Sequence, residues 1–166
     1  MLCIHNTHTD AWFNLAAEEY LLKNFSEDIF MLWQNEPAVV IGKYQNIRAE
    51  TDIEYARQKR IRLARRYSGG GAVYHDMGNL NLTFIENSNQ IRSSVFTESI
   101  IRFLEHYGLH ARSDERQGLT IDGLKISGSA QAIHKQRMLH HATLLFSTDL
   151  EILDRALQPS PKYTGG

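Results

Sequence analysis

The segment Arg65-Arg66-Tyr67-Ser68-Gly69-Gly70-Gly71-Ala72-Val73-Tyr74-His75-Asp76 holds the least ordinary chemistry in the chain. Three glycines in a row cost conformational entropy on folding. They suit a place where backbone must approach a ligand closely, or where successive N–H groups form an anion nest. The two arginines just upstream can add charge-assisted hydrogen bonds to phosphate. A flexible hairpin loop with solvated arginines is the competing reading. Basic residues before the glycines and a tight strand after them favour an anion. The spacing fits neither a P-loop nor a dinucleotide fingerprint, each of which needs its own glycine pattern and a following helix.

A second segment is Asp122-Gly123-Leu124-Lys125-Ile126-Ser127-Gly128-Ser129-Ala130. Strand alternation puts Lys125 on the face opposite Leu124 and Ile126. An exposed strand lysine is the commoner meaning of such a position. The small residues Gly128, Ser129 and Ala130 that follow permit close backbone approach. A lysine held over such a surface can stabilise charge on phosphoryl and carboxyl oxygens. In Arg137-Met138-Leu139-His140-His141-Ala142-Thr143-Leu144-Leu145 the adjacent histidines of a strand point to opposite faces and are poor co-ligands for one metal. One core histidine and one surface histidine is as good a reading as a pocket role. No Cys or carboxylate cluster with zinc spacing accompanies them.

The elements that must position these residues are legible in outline. Asp10 to Phe25 reads as a helix capped by Asp10, with Leu15, Ala16, Tyr20, Leu21 and Leu22 on its apolar face. Ile29 to Trp33 and Ala38 to Gly42 read as strands, separated by a Glu36-Pro37 turn. Asp52 to Arg60 reads as a second helix and Ile61 to Ala64 as a strand. Ala72 to His75 and Leu80 to Ile85 read as strands paired through a Gly78-Asn79 turn. A helix starts at Ser93 or Ser94, turns Phe96, Ile100, Ile101, Phe103 and Leu104 inward, and stops at Gly108. Leu119 to Ile126 is a hairpin around Asp122-Gly123, where a type I′ turn needs positive φ. Leu139 to Phe146 is a strand and Asp149 to Leu157 a short helix. The fold class expected is α+β, a mixed and largely antiparallel β-sheet flanked by helices, in one domain spanning 1–166.

The 166 residues suit one domain with a sizeable core. Hydrophobic residues are 42% and charged residues 22%, a soluble globular profile. A formal net charge of -1 supplies no general attraction to nucleic acid or to a membrane surface, and neither is expected as a partner. Cys3 is the only cysteine, so no bridge can form within the chain, which fits a reducing compartment. No secretory signal is visible and no apolar run nears the ~20 residues of a membrane span. A cytoplasmic location is the expectation.

Taken together, the segments resemble the lipoate–protein ligase family, within the biotin/lipoate-protein ligase catalytic-domain superfamily. The matching residues are Asn14 to Leu22, Pro37 to Asn46, Arg65 to Asp76 continued by Gly78-Asn79-Leu80-Asn81, Asp122 to Ala130, and His140 to Leu145. They fall in the family's order over nearly the whole chain. The resemblance implies formation of lipoyl-adenylate from lipoate and MgATP, with release of pyrophosphate. It then implies transfer of lipoyl to a lysine of a lipoyl carrier domain, in 2-oxoacid dehydrogenase complexes or the glycine cleavage H protein. By resemblance Lys125 is the catalytic residue, touching carboxylate and phosphate oxygens. Arg66, Gly71, Ala72, Val73 and Tyr74 hold the nucleotide. Gly69, Gly70, His75, Gly128, Ser129, Ala130 and His141 line the lipoate site. ATP, Mg²⁺ and lipoate are the implied ligands; Asp122 and Asp76 are candidates for the Mg²⁺, whose ligands the sequence leaves unknown.

The family's ligases generally continue beyond the point where this chain stops. The expectation is a catalytic domain truncated at its C-terminal end, with weak or no complete ligation by the 166 residues alone. Three rival readings stay open. An octanoyltransferase of the same superfamily often uses a cysteine nucleophile, and Cys3 lies far in sequence from the lysine segment. A biotin ligase carries a different arginine–glycine arrangement. A non-catalytic lipoate-binding module has no need for Lys125 and Arg66 to be positioned together.

Overall fold

The computed structural model describes residues 1–87, 94–115 and 118–160. Their elements run β1 (Leu2–His5), α1 (Ala11–Asn24), β2 (Ile29–Trp33), β3 (Ala38–Ile41), α2 (Ile47–Glu50), α3 (Ile53–Gln58), β4 (Arg62–Arg65), β5 (Val73–His75) and β6 (Asn79–Asn87). They continue as α4 (Ser94–His106), β7 (Arg112–Ser113), β8 (Leu119–Ile121), β9 (Leu124–Ser127), β10 (Ser129–His134), β11 (Arg137–Leu145) and α5 (Leu150–Ala156). Five strands form one sheet in the order β1-β2-β6-β11-β10; β4-β3-β5 and β7-β8-β9 form two smaller sheets. β1 with β2 and β3 with β4 are parallel; the other pairs are antiparallel. The expected mixed, largely antiparallel α+β class is what forms.

Alternation along the central strands sends alternate residues to two separate cores. Ile29, Met31, Trp33, Ile85 and Leu139 pack with α1 and with Ala38, Val40 and Ala64 of the small sheet. Leu82, Phe84, Ala142 and Leu144 pack on the other face with Ile100 and Leu104 of α4. Val39, Ile41 and Tyr74, on the far face of the small sheet, pack against Ala56 of α3 and Ala156 of α5. Three helices are capped by aspartates; the sequence marks Asp10 as a cap and Asp52 and Asp149 as helix starts. Asp10, Asp52 and Asp149 accept the N–H groups of Phe13, Tyr55 and Ile152.

Several expectations are corrected. Ala72–His75 and Leu80–Ile85 are not a hairpin: β5 joins β3, whereas β6 runs between β2 and β11. The turn between them is closed by Asp76, whose Oδ1 accepts the Gly78 N–H and whose carbonyl accepts that of Asn79. That turn docks on the exit of β11, where the Gly78 carbonyl accepts the N–H groups of Phe146 and Ser147. On α1, Ala16 and Tyr20 are exposed, and the buried stripe is Ala11, Asn14, Leu15, Glu18, Leu21 and Leu22. Two polar residues share the helical spacing of the apolar ones, which disguised the true face. Phe103 is exposed on α4, and the short elements β1, α2, β7 and β10 carried no signal that was read. Ser93, the alternative start of α4, lies outside the described residues.

A Cβ on Gly78 would sit 2.2 Å from the Ser147 carbonyl carbon and 2.4 Å from the Thr148 nitrogen, both rigid backbone. Gly78→Ala should therefore lower the unfolding free energy by about 2 kcal/mol or more, measured by urea denaturation.

Candidate active site

Strand β4 ends at Arg65, and Arg66 follows it. Arg65 is exposed, and its Nη1 donates to the carbonyls of Gly42, Lys43 and Gln45, stapling the turn after β3. Arg66 is buried. Its Nε donates to Ser68 Oγ and Gly69 O, its Nη1 to Val40 O, and its Nη2 to Gly69 O at 2.6 Å and Gly71 O at 2.7 Å. The glycine segment is thus wound around a guanidinium, with one Nη1 proton left over among the described residues. Burial pushes the Arg66 pKa down from the usual arginine value, and the negative charge of Glu18 opposes that shift.

The glycines differ in what they need. Gly70 has φ +89°, and its carbonyl lies 2.0 Å from where a Cβ on Gly42 would stand. The loop is therefore folded down on the end of β3. Gly69 and Gly71 would meet no protein atom within 4 Å if they carried a Cβ, so the fold itself does not require glycine there.

Beside this loop lies a cavity of about 430 Å³ between α1, the inner face of the large sheet and the small sheet. Arg66, Gly70, Gly71, Ala72, Val73 and His75 of the glycine segment line it. Lys125, Gly128, Ser129, Ala130 and His141 line it as well. The ammonium-bearing strand and the triple-glycine backbone, 54 residues apart between Gly71 and Lys125, wall the same space. The hairpin brings Lys125 there: Asp122 and Gly123 take φ of +50° and +80°, as a type I′ turn needs, and β9 lies against β11. Lys125 is exposed and has no hydrogen-bond or ion-pair partner among the described residues.

Two expected site residues are placed elsewhere. The Tyr74 ring faces the third core, where burial and then Asp76 push its phenol up to about 12. Gly69 is outside the lining, its carbonyl occupied by Arg66. Neither carboxylate considered for Mg²⁺ lines the cavity. Asp76 accepts the N–H groups of Gly78 and Asp149, and Asp122 sits at the exposed hairpin tip. Among the described residues no group of three or more His, Cys, Asp and Glu could hold a metal ion.

Sequence reasoning missed Leu15, Trp33, Val40, Asn81, Gly118, Ala142 and Thr143 as lining residues. Leu15, Trp33 and Val40 look like ordinary core. Cross-strand register puts Trp33 opposite Asn81 and Asn81 opposite Thr143, a row that alternation could have predicted once β2, β6 and β11 were known neighbours.

Glu18 was missed as well, and it organises the interior. Its carboxylate accepts the Thr83 hydroxyl, and Thr83 Oγ1 accepts the Trp33 indole N–H at 2.8 Å. The same carboxylate faces His141 Nδ1 at 3.0 Å, and His141 Nε2 lies 2.7 Å from Ser68 Oγ. The carboxylate sets His141 as the Nδ1–H tautomer, so Nε2 accepts the Ser68 hydroxyl while Ser68 accepts Arg66 Nε. This carboxylate–imidazole–hydroxyl sequence has the connectivity of a nucleophilic triad. Ser68 is only 1% exposed and lies outside the cavity lining, so the chain of bonds positions Arg66 and its loop; it does not present a nucleophile.

The adjacent histidines face opposite ways, as alternation requires. His140 is stacked on Phe96 with centroids 4.8 Å apart, and its Nδ1 meets Gln131. Burial, and then the neighbouring His141, pushes His140 down to about 4. Burial, and then His141 and Arg66, pushes His75 down to about 3. Unfolded histidine takes up its proton near 6.5. Below that pH the unfolded state binds more protons than the folded state, so stability must fall as pH drops from 6.5 toward 4. The slope is up to about 1.4 kcal/mol per pH unit for each ring. Urea unfolding at a series of pH values checks this, and His140→Gln should remove about half of the slope.

The lipoyl protein ligase A/B catalytic-domain family matches residues 10–165. Lipoate–protein ligase 1 of Staphylococcus aureus is 40% identical over 162 residues, covering 95% of this chain and 49% of that protein. The chain spans about half the length of the curated relatives it matches. The crystal structure of Plasmodium falciparum LipL1 in complex with lipoate superposes with a TM-score of 0.89 at 34% identity, covering 96% of this chain and 52% of that one. That of lipoate-protein ligase A bound with ATP superposes with a TM-score of 0.90 at 30% identity, covering 95% and 71%. With its arginine-wound glycine loop and facing lysine strand, this chain belongs to the lipoyl protein ligase A/B catalytic-domain family.

Proposed function

We propose that the chain is the catalytic domain of a lipoate–protein ligase. A carboxylate oxygen of lipoate attacks the α-phosphorus of ATP, pyrophosphate leaves, and lipoyl-AMP forms. The ε-amine of a carrier lysine then attacks the acyl carbon, AMP leaves with the bonding pair, and the amine proton is lost to solvent. The carriers proposed are lipoyl domains of 2-oxoacid dehydrogenase complexes and the glycine cleavage H protein, in the cytoplasm. The observation that carries this reading is the single cavity walled by Lys125 and by the backbone of Gly70 and Gly71.

The chemistry follows from charge. Adenylation brings one anion against another, so the reaction needs fixed positive charge and aligned donors where the negative charges meet. Lys125, unpaired within the described protein, is a point charge that can follow the carboxylate and the α-phosphate. Glycine at 71, which protein packing does not demand, leaves room for phosphate oxygens close to the backbone. Arg66 holds the loop in that shape and adds its own charge from behind. Mg²⁺ enters with the nucleotide as the counter-ion of its phosphates. The relatives bearing lipoate and ATP support both substrates for this chain. No thiol lines the cavity, and Cys3 sits on β1 at the edge of the large sheet, which disfavours a cysteine-dependent octanoyltransferase. No helix among the described residues is long and apolar enough to cross a membrane.

Lipoate-dependent ATP–pyrophosphate exchange by the purified chain tests the reading. Lys125→Ala should lower exchange by about 10²-fold or more while leaving the urea midpoint within the wild-type error, as expected for loss of one charge-stabilising donor. Undiminished exchange in that variant would remove Lys125 from the chemistry.

A further inference from the structure

His75 stands at the end of a ladder of side-chain amides. Asn6 Oδ1 accepts the His8 backbone N–H at 3.0 Å, which leaves Asn6 Nδ2 to donate to Asn14 Oδ1 at 2.8 Å. Asn14 Nδ2 donates to the carbonyls of His8 at 2.8 Å and Gln34 at 3.1 Å, and to Asn35 Oδ1 at 2.8 Å. A backbone N–H can only donate and a backbone carbonyl can only accept, so each amide has one permitted orientation. Asn35 must turn its Nδ2 toward His75 Nδ1, 3.0 Å away. That nitrogen therefore accepts, and the ring carries its proton on Nε2. The ring is only 4% exposed and lines the cavity, and Nε2 has no partner among the described residues. A buried donor without an acceptor is costly, and such groups mark ligand positions when they face a cavity.

The cavity lining is chemically uneven. Lys125 is exposed, whereas His75 is buried with its ring edge-on to Trp33 at 6.1 Å, and Trp33, Leu15 and Val40 share the lining. An acid whose carboxylate meets the exposed ammonium extends its tail toward the buried, apolar part of the lining. The ring is also held neutral there, since burial depresses its pKa to about 3 and a proton on Nδ1 would oppose the Asn35 N–H. A neutral donor in an apolar pocket suits an uncharged, polarisable acceptor.

We propose that Asn35 is a specificity-positioning residue: it locks His75 as an Nε2–H donor toward a sulfur of the dithiolane ring, favouring lipoate over a plain fatty acid of the same length. The inference rests on the functional reading above and extends it to residues of the loop before β3.

Asn35→Asp is nearly isosteric but turns an acceptor toward His75 Nδ1, which moves the ring proton there and silences the donor. Imidazole ¹⁵N spectra of the purified chain near neutral pH should show the Nε2–H tautomer for His75 in the wild type and the Nδ1–H tautomer in Asn35→Asp. Calorimetry should show lipoate binding weakened roughly three- to tenfold in Asn35→Asp, the scale of one lost hydrogen bond. Octanoate, which lacks the sulfurs, should change by less than about twofold. His75→Gln carries its own amide donor, so adding Asn35→Asp to it should have little further effect on lipoate. An Nδ1–H tautomer in the wild type, or equal losses for both acids, would overturn the inference alone. A wild-type chain that binds neither acid would overturn the functional reading and the selectivity role with it, whatever the tautomer.

Discussion

A buried guanidinium holds the centre of this molecule. Arg66 is only 6% exposed, and a charge taken that far from water is unfavourable unless dipoles replace the solvent. The carbonyls of Val40, Gly69 and Gly71 do so, and they come from the end of β3 and from the loop that Arg66 itself introduces. The glycine loop can wrap the cation because Gly70 takes a left-handed φ and because Gly42 leaves room for the Gly70 carbonyl. The loop conformation and the solvation of Arg66 are thus one requirement, and neither exists without the other.

Helix α1 supplies the second half of that arrangement. Its buried face carries Asn14 and Glu18 one turn apart, among Ala11, Leu15, Leu21 and Leu22. Glu18 orients His141 and, through Ser68, the Arg66 side chain; Asn14 orients Asn35 and, through it, His75. Two cavity histidines are therefore assigned opposite tautomers by one helix. Buried polar networks of this kind are stabilising only when every member is satisfied, so the Nε2 of His75 is conspicuous as the position where the network ends on the cavity.

The separation of the cores explains how such a polar interior coexists with stability. The small sheet and the large sheet each present one face to α1 and the cavity, while their opposite faces are closed by α3 with α5 and by α4. Apolar packing on those opposite faces backs the strands that carry the site. Tyr74 illustrates the division: it belongs to the glycine segment, but alternation turns its ring into the third core, whereas its neighbours Val73 and His75 line the cavity.

Much of this was legible in residue order. The Asp10 cap of α1, the helix starts at Asp52 and Asp149, the Asp122-Gly123 hairpin turn and the opposed faces of His140 and His141 follow from local backbone preferences and a period of two, which need no knowledge of the rest of the chain. The arginine–glycine and lysine segments were likewise recognisable from residue types alone. What residue order could not decide was partnership across distance. The pairing of β5 with β3 in place of β6, the burial of Asn14 and Glu18 in place of Ala16 and Tyr20, and the meeting of Lys125 with Gly70 and Gly71 all arise from long-range contacts. Local propensity is nearly indifferent among those alternatives, so packing and the need to satisfy buried polar groups choose between them.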